Sequence, residues 1–246
     1  MKRIKVIVAY DGTRYCGWQI QPNGITIEAV LNQTLAELIG EEIKVAGASR
    51  TDSGVHALGN VAVFDTDSNI PSERMMYALN QKLPADIRIM NSEEVPADWH
   101  PRFQKSIKTY EYRLETGTVP NPLQRFTHYF VTQPLDFMAM EEAVTYLVGE
   151  HDFVGFTREE CQGKHTIRKI YSATLLRADT EILFQIRGNG FLYNMVRMIM
   201  GALLEIGKGR FPPVYIQEVL KGESKEVVKV TAPPQGLVLV NIEYIK

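Results

Sequence analysis

The chain has 246 residues, of which 45% are hydrophobic and 23% charged, so it is long enough to bury one large core or two smaller ones. It contains no apolar run long enough to span a membrane, and its start, Met1-Lys2-Arg3-Ile4-Lys5, favours a first strand over a signal peptide. Its two cysteines, Cys16 and Cys161, are too few for a disulfide framework or a zinc site, and reduced thiols favour a cytoplasmic location.

The formal net charge of −2 argues against nucleic-acid binding by the average surface, because phosphate contacts need cations. The basic residues are clustered, however, at Lys2, Arg3 and Lys5, at Lys105, Lys108 and Arg113, at Lys164, His165, Arg168 and Lys169, and at Lys208 and Arg210. Acidic pairs lie elsewhere, at Glu41-Glu42, Glu93-Glu94, Glu141-Glu142 and Glu159-Glu160. Any one cluster is typical of a solvated surface, but together they allow separate basic and acidic faces.

The first part of the chain alternates strands and helices. Thr26 is a helix N-cap and Gly40 lies just beyond the end of that helix, while Ser72 caps a second helix that Pro84 stops. The predicted elements are strands over 3–9, 42–45, 60–64 and 87–90 and helices over 27–38 and 72–82. This order of strands and helices is that of a ferredoxin-like unit.

The segment 10–19 mixes glycines, aromatic residues and Arg14. This composition is typical of a nucleotide-stacking loop, and equally of a surface loop whose Trp18 fills the edge of the core. The sequence leaves both interpretations open.

The prolines and the missing periodicity of residues 95–103 mark a junction between two halves. After it come predicted strands over 105–114, 168–176, 182–187 and 237–244, and helices over 137–148, capped by Asp136, and over 191–206 and 213–221. On the first of these strands Tyr110, Tyr112 and Leu114 share a face. We therefore predict an α+β fold of two ferredoxin-like (RRM-like) halves, 1–104 and 105–246, whose antiparallel sheets lie side by side with helices on one face.

The densest chemistry lies between the predicted strands over 42–45 and 60–64. This loop motif reads Gly47-Ala48-Ser49-Arg50-Thr51-Asp52-Ser53-Gly54-Val55-His56-Ala57. A hairpin connection with an Asx-turn at its aspartate is the structural interpretation. The run also closely resembles the signature Gly-Ala-Gly-Arg-Thr-Asp-Ala-Gly-Val-His-Ala of the tRNA pseudouridine synthase A family. It departs from that signature at Ser49 and Ser53, and both exchanges replace one small residue with another.

Further segments resemble the same family, in the same order and in both halves. They are 95–103, the strand 108–113, His151-Asp152-Phe153-Val154-Gly155-Phe156, the run 188–197 and Ala232-Pro233-Pro234-Gln235-Gly236-Leu237. The resemblance implies a pseudouridine synthase acting on uridines 38, 39 and 40 of the tRNA anticodon stem-loop, with no metal and no cofactor. It also implies a homodimer and an active-site cleft between the two halves.

Rival motifs are weaker. Asp52-Ser53-Gly54 matches the short signature of aspartic proteases, but that chemistry needs two carboxylates that share a proton, and no second copy occurs. Asp52 and His56 lack a third metal ligand at a sensible spacing. Gly188-Asn189-Gly190 lacks the third glycine of a dinucleotide fingerprint and is better interpreted as a tight turn.

The helix predicted over 191–206 is apolar at most positions, as in a helix buried nearly all round. Arg197 interrupts it, with Tyr193, Asn194 and Gly201 on the same face. A buried guanidinium is costly unless it is paired, so we hypothesise that Arg197 pairs with Asp52. The alternative is a helix end at which Arg197 extends into water. Pairing would keep Asp52 ionised, which suits covalent catalysis at a sugar or pyrimidine carbon.

Asp52 is the predicted nucleophile, and the sequence leaves open whether it attacks ribose C1′ or uracil C6 or works through a glycal. The resemblance implies that Tyr110 contacts the flipped uridine and acts as a base. Arg50 either follows the base out of the stem, since a guanidinium can stack and hold a phosphate, or is a structural partner of an aspartate. The remaining substrate-binding residues are Leu237, as an apolar wall, and His56.

Two other classes of function stay open. A non-catalytic RNA-binding module would explain the element order and the basic clusters, but not Arg197 on an apolar helix. An aspartyl hydrolase would use Asp52 together with a second carboxylate. Release of tritium from C5 of uracil in tRNA distinguishes these functions, because only the synthase exchanges that atom.

Overall fold

The computed structural model describes residues 1–157, 165–223 and 230–245. The predictions at Glu159-Glu160, Cys161 and Lys164 therefore lie outside the described residues. The chain forms two compact units, the first comprising Met1–Ser106 and Val238–Lys246 and the second Ile107–Leu237. The final strand groups with the first unit, whereas the predicted halves divide at residue 104. Within the part of the chain that the structure describes, no helix combines the length and the apolar character needed to cross a membrane.

The first unit is built around its N-terminal strand. It contains the strands β1 (Lys2–Tyr10), β2 (Ala46–Gly47), β3 (His56–Thr66) and β4 (Ile87–Val95) and the helices α1 (Ile27–Ile39) and α2 (Met75–Lys82). β1 pairs antiparallel with β3 on one side and with β4 on the other. Alternate residues of β1 are buried, so one face of this strand contributes to the core. The short β2 pairs antiparallel with β3, with Ala46 opposite Val63.

The second unit begins in a long strand. Its strands are β5 (Ser106–Thr116), β6 (Tyr129–Val131), β7 (Gly149–Asp152), β8 (Ile167–Ala178) and β9 (Glu181–Gly188), and its helices are α3 (Phe137–Thr145), α4 (Met195–Gly207) and α5 (Tyr215–Lys221). β9 pairs antiparallel with both β5 and β8, and β7 pairs antiparallel with β8. Tyr112, Phe153 and Phe184 are fully buried and are among the largest side chains of this core.

The last strand, β10 (Leu237–Tyr244), pairs parallel with β3, with Val238 opposite His56 and Leu239 opposite Ala57. The short β6 also pairs parallel, with β5. The predicted antiparallel sheets are therefore wrong, and the strand pairing is mixed. A parallel neighbour needs a long crossover connection, and the chain between β3 and β10 supplies one. The α+β class is confirmed.

Three predicted helix caps are present. Thr26 accepts a hydrogen bond from the Ala29 N–H at the start of α1, and Gly40 adopts a left-handed φ of 84° at its end. Asp136 accepts from the Ala139 N–H at the start of α3. These ends were predictable because each cap depends on contacts within a few residues.

The predicted strand over 42–45 is wrong. Ile43 and Val45 are buried as the alternation suggests, but the Val45 N–H donates to Asn32 Oδ1 at 2.9 Å and not to a neighbouring strand. The strand begins only at Ala46. An apolar alternation reports burial, and burial does not require a partner strand.

Several helix starts also differ from the predictions, and the start of α5 is at Tyr215 instead of residue 213. Ser72 is not the cap of α2, because Ser72–Arg74 form a 3-10 turn and the Ser72 Oγ donates to the Glu94 carboxylate at 3.2 Å. α4 begins at Met195 and not at residue 191, because Asn194 has a left-handed φ of 58° that no helix tolerates. The short strands β6 and β7 were not predicted.

Candidate active site

The loop motif of residues 47–57 leaves β2 and returns into β3, which begins at His56 and not, as predicted, near residue 60. Arg50 is exposed, Asp52 is half-buried and His56 is buried. These three predicted site residues therefore belong to one short segment of the first unit. Tyr110, Arg197 and Leu237 belong to the second unit.

Backbone hydrogen bonds fix the motif on both sides of Asp52. The Trp18 N–H donates to the Thr51 carbonyl at 3.1 Å, and the Val55 N–H donates to the Asp52 carbonyl at 3.1 Å. Gly17 has a φ of 85°, and a Cβ there would lie 2.6 Å from the Thr51 oxygen. Only glycine permits this approach. The segment 12–18 therefore packs closely against the loop motif and supports it.

Trp18 decides between the two interpretations of the segment 10–19. Its side chain is fully buried, and a Cβ on Gly47 would overlap its indole ring. Trp18 therefore fills the core under the loop motif and offers no face to a nucleotide. Close contact between an indole and a backbone explains why glycine stands at position 47.

His56 joins this support to β3. Its Nδ1 accepts a hydrogen bond from the Gly12 N–H at 3.0 Å and lies 3.1 Å from Asp11 Oδ1. Gly12 in turn leaves no space for a Cβ against the Val55 carbonyl oxygen. The imidazole thus holds the turn after β1 against the loop motif, and its predicted contact with substrate stays a prediction.

In the second unit, Tyr110 lies on β5 and is buried together with Tyr112 and Leu114, the residues predicted to share its face. Its ring meets Phe191 edge to face, with 5.0 Å between the centroids and 80° between the planes. Such a contact restricts the ring to one orientation.

Arg197 is the one residue of α4 that is not buried. Its Nε donates to the Ala232 carbonyl at 2.8 Å, its Nη1 donates to Asn194 Oδ1 at 3.0 Å, and the Ala232 N–H donates back to the Arg197 carbonyl at 3.0 Å. The side chain is half-buried and hydrogen-bonded, unlike one that extends into bulk water. These contacts also hold Asn194 in its left-handed conformation, which by itself costs about 1 kcal/mol.

A second hydrogen bond holds the segment that leads to Leu237. The Tyr112 hydroxyl donates to the Pro233 carbonyl at 2.7 Å, and a Cβ on Gly236 would lie 2.6 Å from Tyr112 Cε1. Burial raises the pKa of Tyr112, so its hydroxyl stays protonated and remains a donor. The sequence predicted only that Tyr112 shares a strand face with Tyr110 and Leu114, since no local signal marks a partner 121 positions away.

Arg102, in the predicted junction, was also missed. Its Nε donates to the Gly47 carbonyl at 2.7 Å, at the start of the loop motif. Burial, and next to it the charge of Arg50, lower the pKa of Arg102, while Glu28 opposes them. Among the residues that the structure describes, no salt bridge engages either Arg50 or Arg102. Two cations of the first unit therefore lie close enough to influence each other at the loop motif.

The basic clusters differ in how far acids neutralise them. Arg3 pairs with Asp65 through two hydrogen bonds and Lys5 pairs with Glu93, while Lys208 and Arg210 both pair with Glu205. On β8, by contrast, the partners of Arg168 among the described residues are backbone carbonyls, and Lys169 lies 5.7 Å from the Tyr171 ring. In the described ranges, 1–157, 165–223 and 230–245, no three His, Cys, Asp or Glu residues form a group able to hold a metal ion.

Comparison with known proteins points to one family. A family model described as tRNA pseudouridine synthase matches residues 6–104 and 143–245. The chain is 42% identical over 245 residues to the tRNA pseudouridine synthase A of Myxococcus xanthus, covering 99% of this chain and 92% of the relative. It is also 42% identical over 245 residues to the protein of that name from Geobacter sp. (strain M21), covering 99% of each. With the one from Acetivibrio thermocellus the identity is 42% over 244 residues, covering 99% of this chain and all of the relative.

Proposed function

The chain belongs to the tRNA pseudouridine synthase A family, and we propose that Asp52 is the nucleophile of this enzyme. It is an isomerase that converts uridine in tRNA to pseudouridine. The reaction breaks the glycosidic bond at N1 and rejoins the uracil to the ribose through C5, so a nucleophile must act while the base is out of the stack. The assignment of Asp52 as the nucleophile is the same whether it attacks ribose C1′ or uracil C6.

The observation that carries this assignment is the fixed backbone around Asp52. The hydrogen bonds from Trp18 and Val55 hold the peptide groups on its two sides, and its side chain is half-buried. A fixed backbone limits the positions that the Asp52 side chain can reach, which reduces the ordering needed before its oxygens meet a reacting carbon. Arg50 and Arg102, in the same unit, supply positive charge for the phosphates of the RNA that carries the base.

We assign Arg197 the role of fixing and ionising Asp52. Its Nε and Nη1 are held by Ala232 and Asn194, so residues of its own unit set the plane of the guanidinium. A guanidinium beside a carboxylate lowers the pKa of that carboxyl group and keeps it charged at neutral pH. The two residues come from different units, so this role requires Asp52 and Arg197 to meet.

The remaining residues have roles around the flipped uridine. Tyr110, whose ring Phe191 holds in place, contacts the nucleotide and acts as a base, while Leu237 forms an apolar wall. Arg50 follows the base out of the stem or holds a phosphate, and His56 supports the loop from behind. The cations of β8 contact the phosphate backbone, because acids in the described residues leave them unneutralised.

The finer assignments rest on the family resemblance. They are two ferredoxin-like halves with the active site in a cleft between them, uridines 38, 39 and 40 of the anticodon stem-loop as targets, a homodimer in solution, a reaction that needs no cofactor, and a cytoplasmic enzyme. Family membership decides against a non-catalytic RNA-binding module and against an aspartyl hydrolase.

The test uses unmodified tRNA tritiated at C5 of uracil and measures tritium release. We expect Asp52→Asn and Asp52→Ala to fold, to bind tRNA, and to lose at least about 10³-fold in turnover, as enzymes do that lose a nucleophile. Arg197→Gln is expected to lose more turnover than Arg197→Lys, since lysine keeps the charge.

A matched control is Asp179→Asn. Asp179 lies in the exposed turn between β8 and β9 with a φ of 49°, which asparagine adopts readily, so this variant keeps full turnover. Tritium release at the parent rate by Asp52→Ala would refute the assignment of the nucleophile.

A further inference from the structure

A buried polar network lies directly under the loop motif. The Tyr10 hydroxyl and Thr51 Oγ1 are 2.7 Å apart, and Asn60 Nδ2 donates to the Tyr10 hydroxyl at 3.3 Å and to the Ser49 carbonyl at 3.0 Å. Asn60 Oδ1 accepts from the Ser49 N–H at 3.3 Å. Tyr10 is 5% exposed, Thr51 7% and Asn60 not at all. The network joins two strands to the two residues that flank Arg50.

Where the loop motif stops pairing with β3, the side chain of Asn60 supplies the hydrogen-bond partners that a strand backbone would supply. β2 pairs with β3 at Ala46 and Gly47, and the Ala48 N–H still donates to the Val61 carbonyl at 2.7 Å. At the next residue, Ser49, the backbone N–H and the carbonyl both bond to the side chain of Asn60. The side-chain amide therefore extends the ladder by one position and fixes where the loop departs.

Tyr10 then holds the loop two residues further on. It is the last residue of β1, and its hydroxyl reaches Thr51, whose peptide carbonyl leads into Asp52. Backbone bonds from Trp18 and Val55 hold the carbonyl groups of Thr51 and Asp52. The Thr51 side chain adds a third restraint, so Thr51 is held through both its backbone and its side chain.

Stability alone is a poor reason for this arrangement. Buried hydroxyl and amide groups cost free energy unless every partner is present, and apolar side chains of the same shape would fill the space as well. A polar network does, however, specify a single geometry. Misplacing a reacting group by about 1 Å costs on the order of 100-fold in rate.

We propose that Tyr10, Thr51 and Asn60 are positioning residues that set the orientation of Asp52 for the reaction. They do not touch the substrate; they act through the backbone of the loop motif. This inference rests on the proposed role of Asp52 as the nucleophile.

The experiment uses the pair Tyr10 and Thr51, because their hydroxyl groups can be removed separately and together. Tyr10→Phe and Thr51→Val each leave one buried hydroxyl without this partner, so both single variants lose stability. The double variant replaces both groups with apolar ones of similar shape and leaves Asn60 its bonds to Ser49. Its thermal stability therefore recovers relative to the less stable single variant.

Turnover follows a different pattern if the network positions Asp52. We expect kcat for tritium release to fall at least about 10-fold in both single variants and to stay low in the double variant, with KM for tRNA within about 2-fold of the parent. Thr51→Ser, which keeps the Oγ, restores kcat. A kcat that recovers together with stability in the double variant would overturn the inference, as would a parental kcat in all three.

Tyr244→Phe is the matched control. Its hydroxyl donates to the Pro101 carbonyl at 3.2 Å in the same unit and has no contact with the network, so its loss lowers stability without lowering kcat. Asp52→Ala separates the two proposals. If Asp52→Ala is inactive while Tyr10→Phe keeps the parental kcat, the positioning role fails alone; if Asp52→Ala is active, the nucleophile and the positioning role fail together.

Discussion

At the scale of single residues, Arg50 and Arg102 are two cations at the loop motif that no salt bridge engages within the described residues. Burial and the neighbouring Arg50 lower the pKa of Arg102, and its Nε is already committed to the Gly47 carbonyl. Like charges in one place favour an anion between them, and the anion that tRNA offers is a phosphodiester. The exposed Arg50 is therefore the residue at which a phosphate contact and a stacking contact are to be distinguished.

Two substitutions of Arg50 separate these contacts. If Arg50 holds a phosphate, Arg50→Ala weakens the salt dependence of tRNA binding. The slope of the logarithm of the binding constant against the logarithm of the salt concentration then decreases in magnitude by about 0.7 to 0.9, and Arg50→Lys restores it. If Arg50 stacks in the place of the extruded base, Arg50→Lys turns over as slowly as Arg50→Ala, because an ammonium cannot stack. Filter binding of tRNA between about 50 and 200 mM salt measures the first effect, and tritium release measures the second.

Both variants are expected to fold, since the Arg50 side chain is exposed. Lys82→Ala is a control that removes one exposed cation from the end of α2, far in sequence from the motif, and leaves turnover unchanged. A parental salt slope together with a parental kcat in Arg50→Ala would leave Arg50 with neither function.

At the scale of elements, the sequence predicted those parts of the fold that depend on neighbours in the chain. The caps at Thr26, Gly40 and Asp136 are such parts, and all three are present. The strand predicted over 42–45 failed because its apolar residues are buried without a ladder. The early start predicted for α4 failed because the left-handed Asn194 depends on a hydrogen bond from Arg197.

The same distinction applies to the candidate site. The loop motif identified Arg50, Asp52 and His56 because their chemistry is concentrated in one run of sequence. Arg102 and Asn60 carry no such signal. The partner of Arg102 is 55 positions away and is a backbone carbonyl, which any residue offers. The partner of Asn60 is 11 positions away. Residues that support a site from a distance are found only once the strands are placed.

α4 is the element on which the geometry of Arg197 depends. A Cβ on Gly201, one turn after Arg197, would overlap the Val230 carbonyl oxygen. The chain continues from Val230 to Ala232, the partner of Arg197 Nε. Close approach of this segment to the helix therefore requires glycine at position 201.

Gly201→Ala tests this dependence. Alanine favours a helix by about 1 kcal/mol over glycine, so an ordinary helical position would gain stability. Here the overlap with a backbone oxygen moves the segment, and we expect a net loss of about 1–3 kcal/mol together with a lower kcat. Urea unfolding and tritium release measure the two effects.

Gly207→Ala, at the last residue of the same helix, is the matched control. A Cβ there meets Met140 Sδ at 2.6 Å, a side chain that can move aside, so the loss of stability is smaller and kcat stays at the parental value. A stabilised Gly201→Ala variant would contradict the account of α4 given above.

At the scale of the whole molecule, several buried and half-buried carboxylates among the described residues are paired with cations. Hydrogen bonds from Arg3 lower the pKa of Asp65. For Asp86 and Glu205 burial acts in the opposite direction, but the donors Arg14 and Tyr15, and Lys208 and Arg210, outweigh it and lower the pKa of each. With a net charge of only −2, these local pairs and not the total charge govern how stability responds to pH.

The sign of this response follows from the lowered pKa values. A carboxyl group whose pKa is lower in the folded state binds fewer protons there than in the unfolded state, so its contribution to stability is complete above the unfolded value of about 4. This contribution to stability is lost as the pH falls through the lower pKa that the group has in the folded state. These carboxyl groups are therefore expected to leave the free energy of unfolding unchanged from pH 7 to about 5 and to decrease it below about pH 4. Burial lowers the pKa of His100 and His128, so these two groups add a decrease as the pH falls below about 6.5.

Glu205→Gln tests how much one carboxyl group contributes to this loss of stability in acid. Glu205 suits the test because its side chain is only 5% exposed and two cations hold it. We expect this variant to be about 1.5–3 kcal/mol less stable at pH 7 and to lose less stability than the parent between about pH 5 and 2, since one of the titrating groups is gone. Urea unfolding at a series of pH values measures both effects. The exposed Glu41 supplies the control, in that Glu41→Gln is expected to follow the parental curve. If the free energy of unfolding of Glu205→Gln decreases with falling pH as steeply as that of the unsubstituted protein, the ion pairs at the end of α4 do not contribute to acid unfolding.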